Sequence, residues 1–425
     1  MDFSLSSSLV GNAVLKPSDG LALNLQFAAD KTLTARKGPT PAFTRVQSTS
    51  TGSSFVGSDG LIQYAAANQP RFDHDPLTLD CKGLLIEEQR TNVILQSENF
   101  VSASWPIINA TVSADSTTSP DGSTTADKLI AANSAIGRIQ QSFVLTGAYN
   151  MSIFAKAGEW GWILLSPLGA NTGCWFNLSN GTVGTQVSGY VGSITPFGNG
   201  WYRCSVSFTG VGTAGTTARI IPTNANNATT NGNGTSGIYL WGAQLEAGAS
   251  PTSYIPTTTT SVIRSADVCS ILSAASVINN LQGTLEVNFS TNTGIYPTFS
   301  SPLTIRDSTG ANGVSIEVVQ ASATTFNQRF RNYVGGSGLL TNMTGTLPIL
   351  TTCKIAVGYE PSNSVGAKNS VLTATNTSTL AFTLPVTQVL IGSPIATTSP
   401  LNGCVSVIKI YRKRLPDAKL QTITA

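Results

Sequence analysis

The chain has 425 residues, 41% of them hydrophobic and 8% aromatic, which is enough for two or three domains with sizeable cores and excludes wholesale disorder. Only 11% are charged, against roughly 25% in an average soluble protein, so Ser, Thr, Asn and Gly must cover the surface. Lys and Arg (24) nearly balance Asp and Glu (21), giving a net charge of +3 that does not fit a nucleic-acid binder, and the single histidine excludes a His-rich metal site.

No stretch approaches the ~18 apolar residues of a membrane span. The opening residues lack the basic and apolar regions of a signal peptide, so folding in a cytoplasm is expected. The six cysteines stand far apart without a paired spacing and read as small buried apolar residues. No cofactor is expected.

In chain order, residues 21–27 alternate as a clean strand, and 44–46 and 60–64 read as short ones. Residues 68–76 form an extended, proline-bounded segment that gathers Arg71, Asp73, His74 and Asp75 within five positions. This first region, 1–83, has too little apolar content to build a core alone and is expected to fold against a neighbouring subunit.

The second region, 84–260, contains strands at 149–155 and 201–208. In the latter, Trp201, Arg203, Ser205 and Ser207 face one side, and Tyr202, Cys204, Val206 and Phe208 face the core. Its closing strand alternates Ile238, Leu240, Gly242, Gln244 and Glu246 against Tyr239, Trp241, Ala243 and Leu245. Residues 223–236 read as a loop, and the Thr/Pro run 251–260 as an extended, exposed linker.

The third region, 261–425, carries strands at 283–289, 314–319, 354–359, 388–391 and 405–411. It ends in a short helix, with Leu415 as hydrophobic entry and Pro416 in the first turn. Helical periodicity is otherwise nearly absent. The predicted fold is all-β: a small N-terminal β attachment region followed by two jelly-roll-like β-sandwiches.

Adjacent strand residues point to opposite faces, so Glu87 and Glu88 cannot serve as the two carboxyls, about 5–9.5 Å apart, of a glycosidase. A salt bridge of Glu87 with Arg90 is expected instead. Gln244 and Glu246 share a face, with backbone contacts at the domain edge as the first reading and a place near a ligand as the second. Asp73, His74 and Asp75, stopped by Pro76, predict an ordered turn or subunit contact, and protonation of His74 near pH 6.5 would alter such an interface. Arg71 and Arg90 join these as interface or anchor candidates. Trp105, Trp160, Trp162 and Trp175 have two readings: core residues first, or faces for stacking a sugar ring. Period 2 would place Trp160 and Trp162 on one face. No metal site is expected.

Residues 65–76 (AAANQPRFDHDP), 83–92 (GLLIEEQRTN), 97–100, 104–105, 120–129 (PDGSTTADKL), 241–246 (WGAQLE) and 253–257 (SYIPT) together resemble head-spike or fibre-type proteins of tailed bacteriophages. The likeness runs over roughly 20–265 and includes a jelly roll like that of carbohydrate-binding modules. Residues 401–405 and 411–420 are similar, more loosely, to concanavalin-A-like or laminin-G-like sandwiches. The resemblance implies a homotrimer at the virion surface, made in the host cytoplasm, with residues 1–83 contacting capsid or tail proteins and with host-surface glycans as ligands. Neither nucleic acid nor membrane is an implied partner. The first reading is a non-enzymatic head fibre or capsid decoration, and the alternative a tail fibre or receptor-binding protein. A polysaccharide depolymerase is the remotest, since no solenoid repeat is visible.

Overall fold

The computed structural model describes residues 19–46, 53–291, 299–322, 325–348, 350–377, 380–393 and 400–425. Short β-branched runs broken by Gly, Asn and Pro become antiparallel strands, and the fold is all-β as expected. Two sandwiches account for most of them.

In the first sandwich, one sheet runs in the order Val371–Leu372, Val365–Lys368, Cys353–Tyr359, Gly283–Thr291, Gly403–Tyr411, Cys81–Ile86 and Phe72–His74. The sheet facing it runs Ala42–Thr44, Val268–Ile271, Gln388–Ile391, Ser300–Arg306, Gly313–Gln320, Thr325–Val334 and Ser337–Asn342. Alternate residues meet between them: Leu285, Val287 and Phe289 with Leu303, Ile305 and Ile316, all buried.

The structure joins what the sequence divides. One edge of the C-terminal strand Gly403–Tyr411 is shared by two N-terminal strands laid end to end. Leu21–Leu25 pairs with its second half, and Leu84–Ile86 pairs with Val405, Cys404 and Gly403. Leu23, Leu25, Phe27, Phe43, Leu84 and Ile86 are buried in the C-terminal core. The boundary expected at 83/84 therefore falls inside the strand Cys81–Ile86. The apolar-poor first region finds its missing core within its own chain. The part of the expected attachment region before Asp19 lies outside the described residues.

The helix forms at Asp417–Ile423, with Pro416 at its N-cap and Leu415 and Leu420 buried beneath it. At the other end, the strand expected over 21–27 stops at Leu25, and Phe27–Asp30 makes one helical turn that buries Phe27.

The middle sandwich is jelly-roll-like. Its first sheet runs Val191–Phe197, Trp201–Val211, Thr146–Ala157, Gly237–Ala247, Ala126–Ala131 and Ala110–Thr117. Its second runs Thr182–Gln186, Cys174–Asn177, Trp162–Ser166, Thr216–Thr223, Arg138–Phe143 and Ile107–Ile108. Met151, Ile153, Cys204, Val206, Phe208, Ala243 and Leu245 fill the space between them.

The regular alternation expected of the closing strand breaks at Gly242. Opposite it, Ser152 pairs with Gln244 and Phe154 with Trp241, so one extra residue is inserted in a bulge. Gly242 has φ +63, a conformation that favours glycine. The bulge puts Ile238 and Leu240 on the core face with Ala243 and Leu245, and turns Trp241, Gln244 and Glu246 to the outer face.

Candidate functional site

The outer face of the first middle sheet is a row of polar residues bounded by aromatic ones. Thr195 lies opposite Arg203, which lies opposite Phe154; Ser193 lies opposite Ser205, which lies opposite Ser152. Directly opposed residues share a face, so these side chains form one surface. The hairpin formed by Ser53–Val56 and Ile62–Ala65, together with the stretch 249–254, closes over it. Between them lies a cavity of about 350 Å³, within the ~300–1,000 Å³ range of small-ligand sites. Phe154, Phe197 and Tyr254 supply its aromatic wall; Arg203, Ser193, Ser205 and Thr195 supply polar groups. Ser193 and Thr195 are exposed at its rim.

Arg203 is half-buried in this wall, its guanidinium 5.5 Å from the centre of the Phe154 ring. Nη2 donates to Ser152 Oγ at 3.1 Å, and the buried Nε has no partner. No carboxylate among the described residues forms an ion pair with it. Burial lowers its pKa, while Glu246 and Glu87 oppose that shift.

Beneath the cavity, and reaching its lining through Glu87 and Ser253, lies a buried ion network that ties the three chain regions together. Arg71 Nη1 is 2.8 Å from Glu87 Oε2, and Arg71 Nη2 donates to Asp267 Oδ2 at 2.6 Å. Asp267 also pairs with Arg45 at 3.0 Å and accepts the backbone N–H of Glu87. Glu87 pairs with Arg264 and accepts from both the N–H and the hydroxyl of Ser253. Burial alone would raise the Glu87 pKa, but Arg264, Arg71 and Ser253 hold it down at about 2.

Of the interface candidates, Arg71 and Glu87 belong to this internal junction. The bridge expected between Glu87 and Arg90 is replaced: Arg90 pairs with Glu88, while Glu87 turns inward to Arg71 and Arg264. Asp73 binds Lys82 at 2.6 Å and accepts the N–H of Val56. His74 is buried with Nδ1 3.1 Å from Val56 O. Asp73 and His74 lie in the strand Phe72–His74 and not in a turn; the turn follows at 76–78, where Asp75 accepts the N–H groups of Leu77 and Thr78. The run 251–260 is not an exposed linker throughout. Thr252 donates twice to Glu246, Ile255 N–H donates to Gln244 Oε1, and Tyr254 and Ile255 are buried.

Three of the four tryptophans take the core reading, and the shared face expected of Trp160 and Trp162 is not formed. Trp105 and Trp175 are buried and donate their indole N–H groups to Gln96 O and Ala228 O. Trp160 is buried in the sandwich core, whereas Trp162 is half-buried among residues packed against Leu164, Trp175 and Ile221. The two do not share a face because the strand begins only at Trp162, so period 2 does not extend back to Trp160. Trp105, Trp160 and Trp175 lie too deep to offer a ring face to a sugar, whereas Trp162 keeps part of its surface exposed. Sequence reading placed Arg203 and Ser205 on one face but missed Phe197 and Tyr254. The strand alternation marked the first two; nothing local marked the covering segments.

No family model and no curated protein matches the chain. Solved structures give distant matches. The CBM40 module of the Ruminococcus gnavus IT-sialidase, bound to alpha2,3-sialyllactose, is 16% identical with a TM-score of 0.30, covering 36% of this chain and 86% of that one. Trypanosoma rangeli sialidase is 9% identical with a TM-score of 0.28, covering 70% of this chain and 60% of that one. Domains LG4-5 of the mouse laminin alpha1 chain are 10% identical with a TM-score of 0.24, covering 73% and 88%. Likeness at this level assigns no residue a role.

Proposed function

We propose that the chain is a non-enzymatic surface protein of a tailed-bacteriophage virion, a head fibre or capsid decoration, which holds a host-surface glycan in the cavity over the middle sandwich. One observation carries the glycan reading: hydroxyl groups and a guanidinium stand in register on a rigid sheet, beside Phe197 and Tyr254, around a space of about 350 Å³. Sugars present hydroxyls on one side and apolar ring faces on the other, and such a wall meets both. Glu87, the carboxylate nearest to a catalytic candidate, is already engaged by two guanidinium groups, which suits structure better than acid–base work.

The virion assignment rests on the resemblance of residues 65–76, 83–92 and 120–129, and the homotrimer with it. Immunogold electron microscopy with antibody to residues 266–425 tests it on intact particles. Gold over the heads is expected. Gold at the tail tip would make the protein a receptor-binding fibre, and particles without gold would overturn the assignment.

A further inference from the structure

The cavity and the junction below it carry an imbalance of charge. Arg45, Arg71, Arg264 and Arg203 bring four guanidinium groups, while Glu87, Asp267 and Glu246 bring three carboxylates. Asp73 and Lys82 at the cavity edge neutralise each other. Asp267 is taken by Arg45 and Arg71, and Glu87 by Arg71 and Arg264. Glu246 is held by Gln244 and twice by Thr252. Arg203 is left facing the cavity with one hydrogen bond, to the neutral hydroxyl of Ser152.

Glu246 and Glu87 act on Arg203 without forming an ion pair with it, so a partly desolvated guanidinium gains from a counter-charge placed in direct contact. Arg203 also has a fixed orientation, set by the Phe154 ring beneath it and by Ser152 beside it. A planar, oriented fork matches a carboxylate better than it matches a sugar hydroxyl. Ser205, opposite Ser193 one pair along the same face, is placed to bond the hydroxyls of a ring whose acid group meets Arg203.

We infer that the cavity takes a sugar unit bearing a carboxylate, with Arg203 binding the carboxylate and Ser193 and Ser205 binding ring hydroxyls. The inference rests on the glycan-binding reading above and narrows its ligand to acidic saccharides.

Ligand-observed NMR titration of the full chain tests it with glucuronate and glucose, which differ at one carbon. Glucuronate is expected to bind, and glucose about tenfold or more weakly. Arg203→Gln should remove that preference, and Arg203→Lys should restore only part of it. Thermal melts of both variants, together with Thr195→Trp at the exposed rim, separate lost binding from lost folding; Thr195→Trp should block glucuronate without unfolding the chain. Equal binding of glucose and glucuronate, or glucuronate binding that survives Arg203→Gln, would overturn the inference while leaving the glycan reading standing. Inorganic phosphate binding as tightly as glucuronate would also overturn it, by revealing an anion site without sugar recognition. If neither these sugars nor the surface glycans of the host bind, both readings fall.

Discussion

Arg71 and Asp267, 196 positions apart, are joined by a 2.6 Å ion pair in which neither side chain touches solvent. The pair ties a segment before the middle sandwich to the segment that follows it. Through Glu87 on one side and Arg45 on the other, it fixes the floor on which the cavity is built.

Breaking that floor should be expensive. Arg71→Met leaves Glu87 and Asp267 buried with fewer partners, and removing one member of a buried pair costs roughly 3–5 kcal/mol. Chemical denaturation should show the loss. Arg71→Lys should rescue little, because one ammonium cannot reproduce the two-armed contact to both carboxylates. A denaturation midpoint unchanged in Arg71→Met would show that the network contributes nothing to stability.

Acid should weaken the same junction. Glu87 is held at about 2, below its ordinary value of 4.5, so its contribution is fully present above pH 4.5 and is lost as pH falls toward 2. The size of that contribution is on the order of 3 kcal/mol. Thermal melts between pH 6 and 2 should therefore fall more steeply for the wild type than for Glu87→Gln. Parallel curves would contradict the assignment.

Deleting residues 1–80 should not leave two folded sandwiches. The deletion removes Leu23, Leu25, Phe27 and Phe43 from the C-terminal core. At roughly 1.5–3 kcal/mol for each large apolar side chain, the loss rivals the whole stability of a typical domain, about 5–15 kcal/mol. Limited proteolysis of the truncated chain should degrade residues 268–425 first. A protease-resistant C-terminal sandwich would show that the N-terminal strands are dispensable.

Trp105→Ala should act through stability alone. The ring packs 5.2 Å from that of Phe100, and its indole N–H is satisfied by Gln96. Truncating a buried Trp costs about 3–5 kcal/mol. The melting temperature should drop, with no change in glycan affinity measured at a temperature where the variant is folded. A selective loss of affinity would return Trp105 to the binding surface.

Period-2 patterns made much of the fold legible. The split of Arg203 and Ser205 from Cys204 and Val206 appears in the structure as read, as do the core face of Leu285, Val287 and Phe289 and the helix after Pro416. Partnership across long separations was not legible. The sequence shows a strand beginning at Leu21, but not that the free edge awaiting it belongs to Gly403–Tyr411. For the same reason Arg71 looked like an anchor for another molecule, when its counter-charge lay at Asp267. The cavity was half legible: its polar floor follows from alternation, and its lid depends on a hairpin and the stretch 249–254 folding back. One extra residue at Gly242 reversed the faces of the closing strand, a local event that no periodic pattern announces.

The most direct test is a glycan array probed with the full chain and with Thr195→Trp, whose exposed position lets a large ring obstruct the cavity mouth without disturbing the core. The wild type should bind a restricted set of glycans, and Thr195→Trp should lose them with its melting temperature unchanged. Binding that persists undiminished in a folded Thr195→Trp variant would place recognition elsewhere and contradict the account.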